Sequence, residues 1–339
     1  MAKSDTAGAS VTGCSSEGVG GIHASGEFTG TLTIAVLTYK RNVDLEALLP
    51  ALVAQMASAR AQVATARVLV IDNDPAASAR SVLESQPVGL PVDYVHEPVP
   101  GISSARNRAL AASADSDLLV FIDDDERPTE GWLGHLLATY EAADRPAAVI
   151  GPVISTFAVE PDAWVASGDF FSRRRMPTGT AVNVGATNNL LLDLRQVREL
   201  ELTFDTGFGT TGGEDTLFTM QVVAGGRRMV WCDEAIVHDV VPAARVTRSW
   251  VLGRALSSGN SWSLISVRLA GGLRARSSRR LLLSGRGLLR LGGGSARWML
   301  GVVSRSSRHR AKGLRTAARG LGMVSGAWGY RYEEYRRTA

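Results

Sequence analysis

Three consecutive carboxylates, Asp123-Asp124-Asp125, close the apolar run LLVFI at residues 118–122. Like charges this close repel, and a divalent cation is a natural source of compensation. Mg2+ and Mn2+ prefer oxygen donors and usually take one or two carboxylates together with substrate phosphates. Alternation along an extended chain sends Asp123 and Asp125 the same way. A solvated acidic turn would explain the same three residues. A second candidate is Gly212-Gly213-Glu214-Asp215. Glycines let the backbone approach a ligand, and a carboxylate at a helix start could act as a general base. Acids that merely complement the helix dipole would read the same way. His238 follows a short apolar run and is either a metal or phosphate contact or an ordinary packed or surface histidine. Asp72, in Asp72-Asn73-Asp74-Pro75, would accept hydrogen bonds from a base or ribose, or else close an Asx-turn. Arg106 and Asn107 lie on a helix that would point at the same region or present an exposed face.

These residues need a frame. Residues 31–38 (TLTIAVLT), 67–71 (RVLVI), 92–96 and 118–122 are short apolar runs of strand length. Between them, residues 43–59, 76–84 and 103–112 carry apolar residues at helical spacing. Strands alternating with helices predict an α/β fold, a mostly parallel central sheet with helices on both faces. Ligands of such sheets bind beyond the carboxyl ends of the strands. Tyr39 to Arg41, Asp72, and Asp123 to Asp125 all follow strand ends, so they fall on one edge. Further on, residues 148–154, 188–192, 228–231 and 235–238 are expected strands, 214–224 a helix, 155–187 irregular, and a helical region opens at 248.

The chain has 339 residues and a net charge of +4, which conceals an asymmetry. Residues 265–339 hold 17 arginines and lysines against two acids, Glu333 and Glu334, a net of +15. That leaves residues 1–264 at −11 of the total. A basic tail on an acidic body favours polyanionic partners. The two cysteines, Cys14 and Cys232, do not suggest a disulfide, which fits a reducing compartment. No secretory leader is visible in the Gly/Ser/Ala-rich residues 1–28, expected to be disordered, and arginines interrupt every apolar run of the tail short of a membrane span.

In order and spacing, IAVLTYKRN, VIDNDP, PGISSARNRAL, FIDDDERP, GGEDTLF and AIVHDVVPAAR resemble the family 2 glycosyltransferases over roughly residues 31–259. The resemblance implies a Rossmann-like GT-A fold and transfer of a sugar from a nucleotide-sugar donor to a glycan or lipid-linked acceptor in surface polysaccharide or glycolipid synthesis. Residues 29–126 would form the nucleotide-binding half and 127–264 the acceptor-binding half. Thr38, Tyr39 and Arg41 would line the nucleoside pocket, Asp72 would meet the base, and Arg106, Asn107 and Asp124 would belong to the donor site. Asp123 and Asp125 match the DXD motif, with Asp123 near the ribose and Asp125 on a divalent cation (Mn2+ or Mg2+). His238 would be a further metal or phosphate contact. Asp215 would deprotonate the acceptor hydroxyl and Glu214 would assist acceptor binding. One base opposite the leaving group predicts inversion.

The tail, residues 265–339, departs from a minimal catalytic domain. Arg305, Arg308, Lys312, Arg315 and Arg319 recur at helical spacing as one basic stripe, weakened by Gly313, Gly320 and Gly322. Trp328, Tyr330, Tyr332 and Tyr335 follow, residue types that favour membrane interfaces. The expectation is a cytoplasmic enzyme whose tail lies on the anionic inner face of a membrane, with no nucleic-acid partner. A solvated basic helix packed on the acidic body is the alternative. A nucleotidyltransferase of related fold would carry a glycine-rich loop after the first strand, where this chain has Thr38-Tyr39-Lys40-Arg41-Asn42. A non-catalytic scaffold would have no need of Asp123, Asp125 and Asp215.

Overall fold

A computed structural model describes residues 28–86, 91–209 and 212–332. Cys14, Glu333, Glu334, Tyr335 and the expected disorder of residues 1–27 lie outside the described residues. Phe28 does not share that expectation: it is buried, its ring edge-on to Tyr140 with centroids 6.0 Å apart.

The donor-side half alternates as expected: β1 (Thr31–Thr38), α1 (Asn42–Ser58), β2 (Thr65–Asp72), α2 (Arg80–Glu84), β3 (Val92–His96), α3 (Ile102–Ala112) and β4 (Leu118–Asp123). β5 (Glu126–Pro128), α4 (Trp132–Ala142), β6 (Ala148–Ile150), β7 (Val153–Phe157) and α5 (Ala163–Gly168) follow. Then come β8 (Asn189–Asp193), α6 (Leu194–Glu199), α7 (Glu214–Ala224), β9 (Met229–Trp231) and β10 (Val237–Val241). Three helices end the described chain: α8 (Arg248–Arg268), α9 (Gly272–Val303) and α10 (Ser307–Ala327).

The main sheet has seven strands in the order β3-β2-β1-β4-β8-β6-β9. β1 to β4 are mutually parallel where paired, and β8 alone runs against its neighbours β4 and β6. Register aligns the strand ends: Thr38 lies opposite Asp72, Leu37 opposite Asp123, and Asp72 opposite His96. Alternation divides the core. Ile34, Val36, Val70, Val120 and Ile122 pack under α1 and α4, whereas Ala35, Leu37, Ile71 and Phe121 pack with α3 and α7. A smaller sheet, β5-β10-β7, sits beside it.

Several boundaries differ from those expected. Residues 148–154 are not one strand. The chain breaks at Gly151-Pro152, so β6 joins the large sheet and β7 the small one. Proline supplies no ladder N–H, and a Cβ at Gly151 would stand 2.2 Å from the Ala235 carbonyl oxygen. A division at 126/127 falls inside β5, and one at 264/265 falls inside α8.

The basic tail is no loose appendage. α10 lies between α8 and α9 and also reaches α5 through a cluster of Trp164, Val165, Val251 and Ala311. The glycines read as weakening the helix are where the backbones meet. A Cβ at Gly322 would stand 2.0 Å from the Leu256 carbonyl oxygen, and one at Gly320 would stand 2.5 Å from that of Gly287. Nor is the basic stripe one solvated face: Arg315 stacks on Phe170, 5.4 Å from its centroid, and Arg319 is partly buried.

Candidate active site

Asp124 is the most enclosed of the three strand-end acids. Thr38 Oγ1 donates to its Oδ2 at 2.8 Å, and Arg41 Nη1 to its Oδ1 at 3.0 Å. The same Nη1 donates to Asp125 Oδ2 at 2.6 Å. Burial alone would lower the Arg41 pKa, but the two carboxylates outweigh it and raise it. Thr38 and Arg41, expected in a nucleoside pocket, thus hold the acidic triplet together. Tyr39 lies beside them, half-buried, with Lys40 Nζ 5.3 Å from its ring centroid.

Asp123 differs from its neighbours. No donor reaches its carboxylate among the described residues; only its backbone N–H is engaged, donating to Glu126 Oε2 at 3.2 Å. Burial pushes it up to about 6, with Asp125 and Asp124 adding to the rise and Arg106 opposing it. Burial likewise pushes Asp124 up to about 6. Oxygen donors in a crowded acidic group fit a hard divalent cation. Yet no three Asp, Glu, His or Cys side chains gather around a point among the described residues, so Asp123, Asp125 and His238 do not form a ready metal cage. His238 is the outlier: it is exposed on β10, opposite Arg127 in the small sheet.

α3 and α7 complete the arrangement. Arg106, buried, forms an ion pair with buried Glu214. Its charge also acts on Asp215 and Asp123, so one guanidinium joins the strand-end acids to the Glu-Asp pair. Burial raises Glu214, against the pull of Arg106. Asp215, one residue on, lines a cavity of about 690 Å³ together with Gly212, Gly213, Asn188 and Trp231. Gly213 has φ +97°, and a Cβ there would press on Ser261 at 3.0 Å. Glycine therefore lets α7 start directly against α8.

Two expected donor contacts are occupied otherwise. Asp72 is fully buried and accepts from the N–H groups of Asp74 (2.9 Å) and Ala79 (2.8 Å) and from the Tyr94 hydroxyl (3.1 Å). That is an Asx-turn, and the carboxylate builds the loop rather than facing a base. Asn107 bonds both backbone groups of Phe204, at 2.8 and 2.7 Å. The amide of Asn107 thus ties α3 to the 204 loop. One residue escaped notice in the sequence. Glu126 is buried, raised well above its usual range by burial and then by Asp123, and accepts from Asn188 Nδ2 at 2.6 Å. The only sequence signal was the acid that follows the triplet; its partner lies 62 residues away.

Residues 33–193 match the family model described as Glycosyl transferase family 2. The succinoglycan biosynthesis protein ExoM of Rhizobium meliloti (strain 1021) is 36% identical over 245 residues, covering 72% of this chain and 77% of that protein. The chain belongs to glycosyl transferase family 2. Solved GT-A structures share the fold of this glycosyltransferase. The mannosyltransferase PcManGT from Pyrobaculum calidifontis, solved with GDP-Man and Mn2+, superposes with a TM-score of 0.55 at 17% identity, over 89% of this chain and 88% of that one. GalNAc-T7, solved with UDP, GalNAc and Mn2+, gives 0.51 at 12% identity, over 72% of this glycosyltransferase and 52% of that chain. No described helix is long and apolar enough to cross a membrane.

Proposed function

We propose that this glycosyltransferase moves a sugar, with inversion, from a nucleotide-diphosphate sugar to a hydroxyl of a glycan or lipid-linked acceptor in cell-surface polysaccharide synthesis. The observation that carries the proposal is Arg106. It links Asp123, at the edge where strand ends meet, to Glu214 and to Asp215, which lines the cavity of about 690 Å³. Donor chemistry and acceptor chemistry are thereby held on rigid elements.

The donor lies along the ends of β1, β2 and β4, bounded by Tyr39, Arg41 and the loop that Asp72 builds. A divalent cation, Mn2+ or Mg2+, supplies Lewis-acid stabilisation of the leaving diphosphate when bound, and Asp125 with Asp123 would hold it. The Mn2+ in PcManGT and GalNAc-T7 supports that assignment. Asp215 takes the proton of the acceptor hydroxyl as the oxygen attacks the anomeric carbon and the bond to the diphosphate breaks. Glu214 is neutralised by Arg106, which leaves Asp215 as the carboxylate facing the cavity. The surface-polysaccharide reading is supported by the relative ExoM, a succinoglycan biosynthesis protein.

Membrane association is the second part of the proposal, and α9 carries it. Leu281, Leu288, Leu289 and Met299 are each more than half exposed on its outer side. Arg279, Arg286, Arg290 and Arg297 recur at spacings of seven and four beside them. No acid occurs from Val240 to Tyr332. An apolar stripe flanked by arginines matches an anionic lipid surface.

Thermal unfolding with UDP, GDP, TDP and CDP, each with and without Mn2+, tests the donor site. A ligand at 100 times its dissociation constant adds about 2.7 kcal/mol to the folded state. The expected result is a metal-dependent rise with one nucleotide. No rise with any of the four overturns the reading.

A further inference from the structure

The acceptor cavity contains charge that the reaction above does not use. Among the described residues, Asp215 is the only acid in its lining. Arg319 of α10 enters the same lining, with Arg174 and Arg254. The side chain of Arg319 makes no hydrogen bond or ion pair among the described residues, and its Nε is buried without a partner. The charged groups that act on it are Arg315, one turn earlier on α10, and Arg290 on α9; together with burial they lower its pKa. Arg315 in turn meets an aromatic ring rather than an acid. α8 and α10, which line the cavity, and α9, packed against α10, contain no Asp or Glu.

A partly buried guanidinium among other guanidinia is costly unless an anion joins it. Arginine offers a planar fork of donors that matches a phosphate oxygen pair. Asp215 repels an anion within the same cavity, which fixes the direction of entry: the hydroxyl end at Asp215, the anionic end at Arg319.

We propose that Arg319, supported by Arg174, forms an anion subsite of the acceptor cavity, which takes a phosphate or diphosphate carried by the acceptor. The proposal rests on the glycosyltransferase reading, since it treats this cavity as the acceptor's. The shared chemistry has two sources: a lipid-linked diphosphate, or a water-soluble phosphorylated glycan. Arg290 lies on the flank of the apolar stripe of α9 and acts on Arg319. The positive potential therefore runs from the lipid-facing helix to the cavity.

The test uses the full chain and inorganic pyrophosphate in EDTA, so that the donor site has no cation to hold a diphosphate. Calorimetric titration of the wild type is expected to show binding, and Arg319→Gln to weaken it at least tenfold. Arg319→Lys keeps the charge but loses the fork, and a several-fold loss is expected; it decides the case if the glutamine variant does not fold. Farnesyl diphosphate binding more tightly than pyrophosphate supports a lipid-linked acceptor, and equal binding supports a soluble phosphorylated one. Absence of pyrophosphate binding in the wild type, or unchanged affinity in the variants, overturns the subsite. The nucleotide response with Mn2+ separates the two readings. If it persists in Arg319→Gln while pyrophosphate affinity is unchanged, only the subsite falls. If the wild type lacks it, the donor assignment falls.

Discussion

The edge where β1, β2 and β4 end and the wall made by α8 to α10 are built on opposite principles. The strand-end edge is polar and largely paired: Thr38 donates a hydrogen bond to Asp124, and Arg41 forms ion pairs with Asp124 and Asp125, over sequence gaps bridged by one strand register. The helical wall has one sign of charge and is assembled by backbone contact, glycine against carbonyl. The first region is complete in itself apart from Asp123. The second leaves Arg319 without an acid partner among the described residues. The two regions face each other at Asp215, the residue proposed as the base.

The sharpest way to break that comparison is to remove the group at the junction. Asp215→Asn is expected to lower turnover by about 10²–10⁴, the usual worth of a general base, with the nucleotide and Mn2+ thermal response unchanged. If turnover holds, Asp215 is not the base. Arg106→Met tests the link between the regions. It leaves Glu214 buried and unpaired, which costs about 3–5 kcal/mol, read as a lower urea midpoint. The double variant Arg106→Met with Glu214→Leu is expected to recover most of that stability but not activity. A stable single variant would mean that the pair does not join the halves.

Gly322→Ala addresses the wall. Its Cβ would stand 2.0 Å from a backbone oxygen on α8, and α10 has to shift. Overpacking of this kind costs about 1–3 kcal/mol, visible in the unfolding midpoint.

That glycine also marks where the sequence stopped being informative. β1, β3 and α7 were legible to the residue, because the apolar run buried on both faces of β1, the short apolar run of β3 and the two acids opening α7 are local signals. Asp123, Asp125, Glu214 and Asp215 stood out for the same reason, being charges at strand and helix ends. Gly313, Gly320 and Gly322 misled, because propensity penalises glycine in a helix while close packing requires it, and only the partner backbone decides between them. Glu126 was hidden because Asn188 lies 62 residues away, and Asp72 because its Asx-turn and a base contact demand the same residue. The role of Arg319 depended on which side of α10 meets the cavity, which the spacing of basic residues does not encode.

The outer side of α9 carries a smaller expected effect. Leu288→Ser with Leu289→Ser removes two exposed apolar side chains, and burying such a side chain is worth up to about 1.5–3 kcal/mol. Partial burial at a lipid surface makes about a tenfold loss of binding the expected result, on vesicles containing anionic phospholipid. Wild-type binding should fall with added salt, as screening of the arginines requires. Salt-insensitive binding, or a wild type that self-associates instead, would assign the stripe to another partner.

The smallest effect is the most direct contrast with Gly322. Gly285 sits on the exposed side of the same helical layer, and a Cβ there meets nothing within 4 Å. Gly285→Ala removes the conformational freedom of glycine from the unfolded chain without a clash, and about 0.4–1 kcal/mol of stabilisation is expected. The same substitution in neighbouring helices should therefore shift the melting midpoint in opposite directions. If both variants are destabilised, α9 is covered on its outer side by something in solution, and that side is a contact surface already in use. If both are stabilised, the close approach of α10 to α8 is not maintained, and the wall that brings Arg319 to the acceptor cavity is not rigid.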